Sequence, residues 1–102
     1  MERDINKKSP SQCACIEEVR SEIDSIDQAI IRLLSKRFEY VKEVVKYKDG
    51  TPEGIEASDR RQAVLRSRRQ WAQEQGLCPN AIEDMYDRLI QYFISEEMKI
   101  NT

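Results

Sequence analysis

With 102 residues, 35% of them charged, 39% hydrophobic and no histidine, the chain has room for one small domain. Its 17 Lys and Arg against 19 Asp and Glu leave a net charge of -2, which gives no general attraction to nucleic acid or anionic membranes. No apolar run approaches the roughly 20 residues of a membrane span. The polar start MERDINKKSPSQ lacks the apolar stretch of a signal peptide, so a cytoplasmic protein is expected.

The missing histidine removes Ser-His-Asp and Cys-His nucleophile systems and imidazole-ligated zinc. Cys13, Cys15 and Cys78 are an odd number, which argues against a closed disulfide framework, and they read as reduced thiols. No metal is expected at the Cys13-x-Cys15 pair. Any chemistry must come from Arg, Lys, carboxylates and amides.

In chain order, residues 1–14 read as a disordered tail and 15–99 as one helical domain. Cys15 to Lys48 contains no Gly or Pro, and Ile16, Val19, Ile23, Ile26, Ile30, Leu33, Val41 and Val44 recur at spacings of 3 and 4. That periodicity predicts one amphipathic helix roughly 50 Å long. A compact domain of this size has a radius of gyration near 13 Å, so the helix would overhang its own monomer. A second copy of the chain would cover the stripe left exposed.

Asp49 to Ala57 (DGTPEGIEA) holds two of the three glycines and reads as a loop. Ser58 suits the N-cap of a second helix, which Gly76 would end. Its expected apolar positions are Val64, Leu65, Trp71 and Ala72, with Trp71 in the core. Pro79 suits the first turn of a third helix to about Lys99. Ile82, Met85, Tyr86, Leu89, Ile90, Phe93 and Ile94 would line its inner face. The fold class is all-α, with three helices.

Several charges break the apolar pattern. At about 100° per residue, Arg37 and Lys48 fall on the stripe of the first helix, and Arg20 lies at its edge. Glu97 falls on the face of Leu89 and Phe93 in the third helix. A long Arg or Lys stem can lie along apolar surface with its head in water. Three such cations on one helix, with Arg60 opening the second, could instead line a cavity for a small dicarboxylate. The arginines of DRRQAVLRSRR point around their helix and have no aromatic platform beside them, so a solvated surface is expected there and no nucleic-acid site.

These residues carry a family likeness. The run EVRSEIDSIDQAIIRLLSKRFEYVKEVVKYK resembles the first helix of the AroQ-type chorismate mutases, with basic residues at fixed distances inside a hydrophobic pattern. The likeness extends through Asp59–Arg60 to the third helix, over about residues 15–99. EYVKEVVKYK, VLRSRRQWAQEQGL and Tyr92–Phe93 are most similar to the isochorismate pyruvate lyases of salicylate and siderophore biosynthesis.

The resemblance implies an intertwined all-helical homodimer with two equivalent sites and no cofactor. It implies that Arg20 reaches into the partner's site, Arg37 holds a carboxylate in its own, and Lys48 contacts the ether oxygen and a carboxylate. Arg60 would help close the site under the 49–57 loop. Glu97 stands where many members have a Gln that donates to the ether oxygen, so as a donor it would have to be protonated. Arg61 stands where mutases commonly carry a carboxylate, which favours the lyase. The implied reaction is pericyclic: isochorismate gives salicylate and pyruvate, with mutase activity on chorismate second. The alternatives are a chorismate mutase proper, or a helical dimer that regulates by interaction without turnover.

Overall fold

The computed structural model describes residues 8–48, 51, 54 and 57–100. Among these there is no strand. Helix α1 spans Ile16–Val44, α2 Ser58–Glu74 and α3 Pro79–Ile100, with 3-10 turns at Pro10–Gln12 and Val45–Tyr47. The all-α class follows. The chain forms two compact units, one up to Glu39 and the other from Tyr40, and α1 runs from the first into the second.

Helix α1 is uninterrupted because nothing in its 29 residues lacks an amide hydrogen or a side chain. The carbonyl of Cys15 accepts the first helical bond from Val19, at 3.3 Å. Glu18, in the first turn, reaches back: its carboxylate accepts from the Ala14 amide at 3.2 Å and from Lys8 Nζ at 2.6 Å. This is capping-box logic displaced by one residue. Of the expected tail, residues 1–7 lie outside the described residues. Residues 8–14 carry the Pro10–Gln12 turn, and Lys8 pairs with Glu18 of α1.

The Lys8 hydrogen bond, followed by that from Ala14, holds the Glu18 carboxyl below its ordinary value of 4.5, and Glu18 raises Lys8 above 10.5. A depressed carboxyl stabilises fully above its unfolded value, and that contribution is lost as pH falls through the lowered one. A raised ammonium acts oppositely, losing its contribution as pH rises through the raised value. The tie should therefore hold across neutral pH and open in acid below 4.5. An NMR titration should place the Glu18 midpoint under 4.5 and return it toward that value in Lys8→Ala.

In the second unit, α2 and α3 lie antiparallel. Arg61, early in α2, reaches Asp87 and Gln91, whereas Arg69, near its end, reaches Asn80 and Glu83 at the start of α3. Among its described residues, Val64 and Ala72 of α2 and Phe93, Ile94 and Glu97 of α3 are buried.

Ser58 is not the cap of α2 but its first helical residue. The cap position is Ala57, whose carbonyl accepts from the Arg61 amide at 2.9 Å, and whose φ of 44° is left-handed. At the other end, Gly76 has φ +76°, the Leu77 amide donates to the Ala72 carbonyl at 2.8 Å, and Gly76 donates to Gln73 at 3.1 Å. That pair of bonds is the Schellman motif, which needs a left-handed residue after the cap. Nothing lies within 4 Å of a Cβ built at Gly76. Gly76→Ala should therefore cost only the left-handed backbone penalty, about 1 kcal/mol in urea denaturation.

Two packing expectations are corrected. Trp71 is 52% exposed and Met85 63% exposed, so neither is core. The reason lies in register. Arg61, Val64, Arg68 and Ala72 fall within about 80° of one another on α2 at 100° per residue, so the inward face carries arginines and Trp71 sits at its margin. The arginine run is thus not simply a solvated surface. Arg61, Arg68 and Arg69 are half-buried, and the Arg68 guanidinium lies 4.5 Å from the Trp71 ring centre and 5.5 Å from that of Tyr86.

Candidate active site

Helix α1 gives way to a 3-10 turn at Val45–Tyr47, and Lys48 follows in extended backbone with φ -96° and ψ 158°. This departs from the single helix expected through Lys48, and it releases the Lys48 side chain from the helical direction. The ammonium reaches α3. Nζ donates to both oxygens of Glu97, at 3.0 and 3.2 Å. Only 16% of the Lys48 side chain and 4% of the Glu97 side chain are exposed, so both charges are largely out of water.

Glu97 is positioned by its register. It lies four residues after Phe93 and three after Ile94, on the same face, and all three are buried. A carboxylate on that face is costly unless paired, and Lys48 supplies the pair. The structure therefore brings together two of the residues singled out from the sequence, 49 positions apart.

The others are placed individually. Arg60 is exposed in the first turn of α2. Arg20 is exposed in the second turn of α1, and Arg37 is half-buried on the same helix. These two belong to the first unit and Lys48, Arg60 and Glu97 to the second. The loop expected over 49–57 falls mostly outside the described residues.

Arg61 has a different task. Its Nε and one terminal nitrogen donate to Asp87 Oδ1 at 3.1 and 2.8 Å, with further bonds to the Asp87 carbonyl and to Gln91. The guanidinium fork is thus used to join α2 to α3. Sequence reasoning did not find Asp87 or Gln91, because the register between two antiparallel helices is not written in either one alone.

Cys13, Cys15 and Cys78 are free thiols. Among the described residues no group of three His, Cys, Asp or Glu could hold a metal ion. No helix among them is long and apolar enough to cross a membrane.

What this arrangement can do is hold a cation at a shielded position, a place suited to an oxygen that gains negative charge. Residues 19–98 match the family model described as chorismate mutase type II. Among known proteins, an isochorismate pyruvate lyase of Pseudomonas aeruginosa is 34% identical over 92 residues, covering 90% of each chain. T-proteins of Haemophilus influenzae and Enterobacter agglomerans are 38% and 40% identical over 84 and 81 residues, which is 80% and 78% of this chain but only 22% and 21% of theirs. The chain belongs to the type II chorismate mutase family. It is an enzyme, of the isomerase or lyase kind.

Proposed function

We propose that this protein is an isochorismate pyruvate lyase that cleaves isochorismate to salicylate and pyruvate, with chorismate mutase activity as a secondary reaction of the same site. The observation that carries the lyase over the mutase is Arg61. It occupies the position of the carboxylate expected in a mutase and is bound into Asp87 and Gln91. The end-to-end match with the Pseudomonas lyase supports the same choice.

The reaction needs no acid–base pair from the enzyme. The ring C–O bond breaks while a ring hydrogen passes to the terminal methylene carbon of the enolpyruvyl group, which leaves as pyruvate. The ring is left aromatic, as salicylate. What remains for the protein is to hold a reactive conformer and to place cations where oxygen gains charge. Lys48 serves the ether oxygen, Arg37 and Arg60 the substrate's carboxylate side, and Arg20 enters from a second copy of the chain. Glu97 completes the site beside Lys48.

The homodimer belongs to this reading. Supporting it, α1 leaves Ile16, Ile23, Ile30 and Leu33 about half exposed in the single chain. A cytoplasmic role in supplying salicylate, as siderophore synthesis requires, belongs to the same reading.

The test gives purified protein isochorismate and chorismate in separate reactions, followed by salicylate fluorescence and chorismate absorbance. Fast salicylate release with slow chorismate loss is expected. Chorismate consumption to prephenate without faster salicylate release would make the protein a mutase. Ligand protection without any turnover would make it a non-catalytic helical dimer.

A further inference from the structure

Resting on the lyase reading, we propose that Glu97 is a positioning residue that fixes the Lys48 ammonium through their ion pair, rather than a donor to the substrate's ether oxygen. Both Glu97 oxygens accept from Nζ, at 3.0 and 3.2 Å, so the carboxylate faces Lys48 as an acceptor on both sides. The two residues are also unequally anchored. Glu97 projects from the interior of α3, buried with Phe93 and Ile94, whereas Lys48 follows the last 3-10 turn in extended backbone. A lysine head on a four-carbon stem carries large rotamer freedom. The rigid partner therefore sets where the mobile one stands.

The pair also has a charge consequence. Lys48 and Glu97 together are neutral, so Lys48 adds no net attraction for a dianionic substrate. Substrate charge then falls to the arginines, and Lys48 acts as an oriented N–H donor at the atom that gains charge. In that arrangement the ion pair contributes to kcat rather than to binding.

Glu97→Gln separates the two roles, because the amide keeps the shape and removes the charge. As a positioning residue, Glu97 gives a variant whose kcat falls about tenfold while KM falls as well, since removing the carboxylate makes the site one charge more positive toward a dianion. Glu97→Asp, which keeps the charge, should recover part of kcat. A Gln variant with unchanged or raised kcat, or an Asp variant no better than Gln, overturns the proposal. A purely structural role would lower the folded fraction without splitting kcat from KM.

A second readout does not depend on turnover. The slowly exchanging ammonium resonance of Lys48, identified by its loss in Lys48→Arg, should be visible by nitrogen-detected NMR and vanish in Glu97→Gln. Its absence from the unmodified protein overturns the proposal. If neither substrate is turned over while the resonance behaves as expected, the lyase reading fails and Glu97 stands as the residue that fixes Lys48.

Discussion

Lys48→Ala should lower turnover by about two to three orders of magnitude and also destabilise the protein by about 3 kcal/mol in urea denaturation, the lower end of the range for breaking a buried ion pair. The stability loss arises at Glu97 rather than Lys48. With its side chain only 4% exposed, the carboxylate would be left without the ammonium that offsets its removal from water. The lower end of the range applies because Lys48 itself retains some contact with solvent, at 16%. The loss of turnover has another origin. Removing a donor aimed at an oxygen that gains charge costs about two to three orders of magnitude in kcat.

The two losses separate in the double variant Lys48→Met, Glu97→Leu. Replacing both charges with apolar side chains of similar volume removes the desolvation penalty, so stability should return to near the original value or exceed it. Turnover should not return. A double variant that stays about 3 kcal/mol less stable would mean that the pair is better solvated than its burial indicates.

The contrast between Glu97 and Arg61 shows what could be read before the fold was known. Glu97 was conspicuous because it shares the face of Leu89 and Phe93, and a charge inside a helical stripe needs a reason. Lys48 was conspicuous on the same ground. Their direct bond was less accessible, because the helical register extrapolated through Lys48 does not hold beyond Val44. The turn at 45–47 redirects that side chain, and no Gly or Pro marks it.

The arginines of α2 are hard to read from sequence for a different reason. Hydropathy alone treats Arg61 and Arg68 as surface, yet both share the inward meridian with Val64 and Ala72. Guanidinium groups can occupy such a face when a carboxylate fork or aromatic rings receive them, as Asp87, Trp71 and Tyr86 do. Asp87 and Tyr86 lie on the next helix, and only the antiparallel register brings them opposite. Helix existence was legible throughout. The inward direction of α2 was legible only in part.

The apolar face of α1 sets the last and largest expectation. Ile16, Val19, Ile23, Ile26, Ile30 and Leu33 recur on one stripe and are between 37% and 55% exposed in the single chain. Covering such a side chain from half exposure is worth roughly 1 kcal/mol, so the stripe represents roughly 6 kcal/mol per chain in a paired state. That is comparable with the whole stability of a domain this small. The protein should therefore sediment as a dimer at micromolar concentration, and its Tm should rise with protein concentration as mass action requires. Ile23→Asp with Ile30→Asp places two carboxylates seven residues apart on that stripe, where each would have to be desolvated on pairing. The variant should sediment as a monomer, lose the concentration dependence of Tm and lose turnover, since Arg20 from a second copy would no longer enter the site. A monodisperse parent monomer with a concentration-independent Tm would remove the need for a partner, and Arg20 would then have to act, if at all, within its own chain.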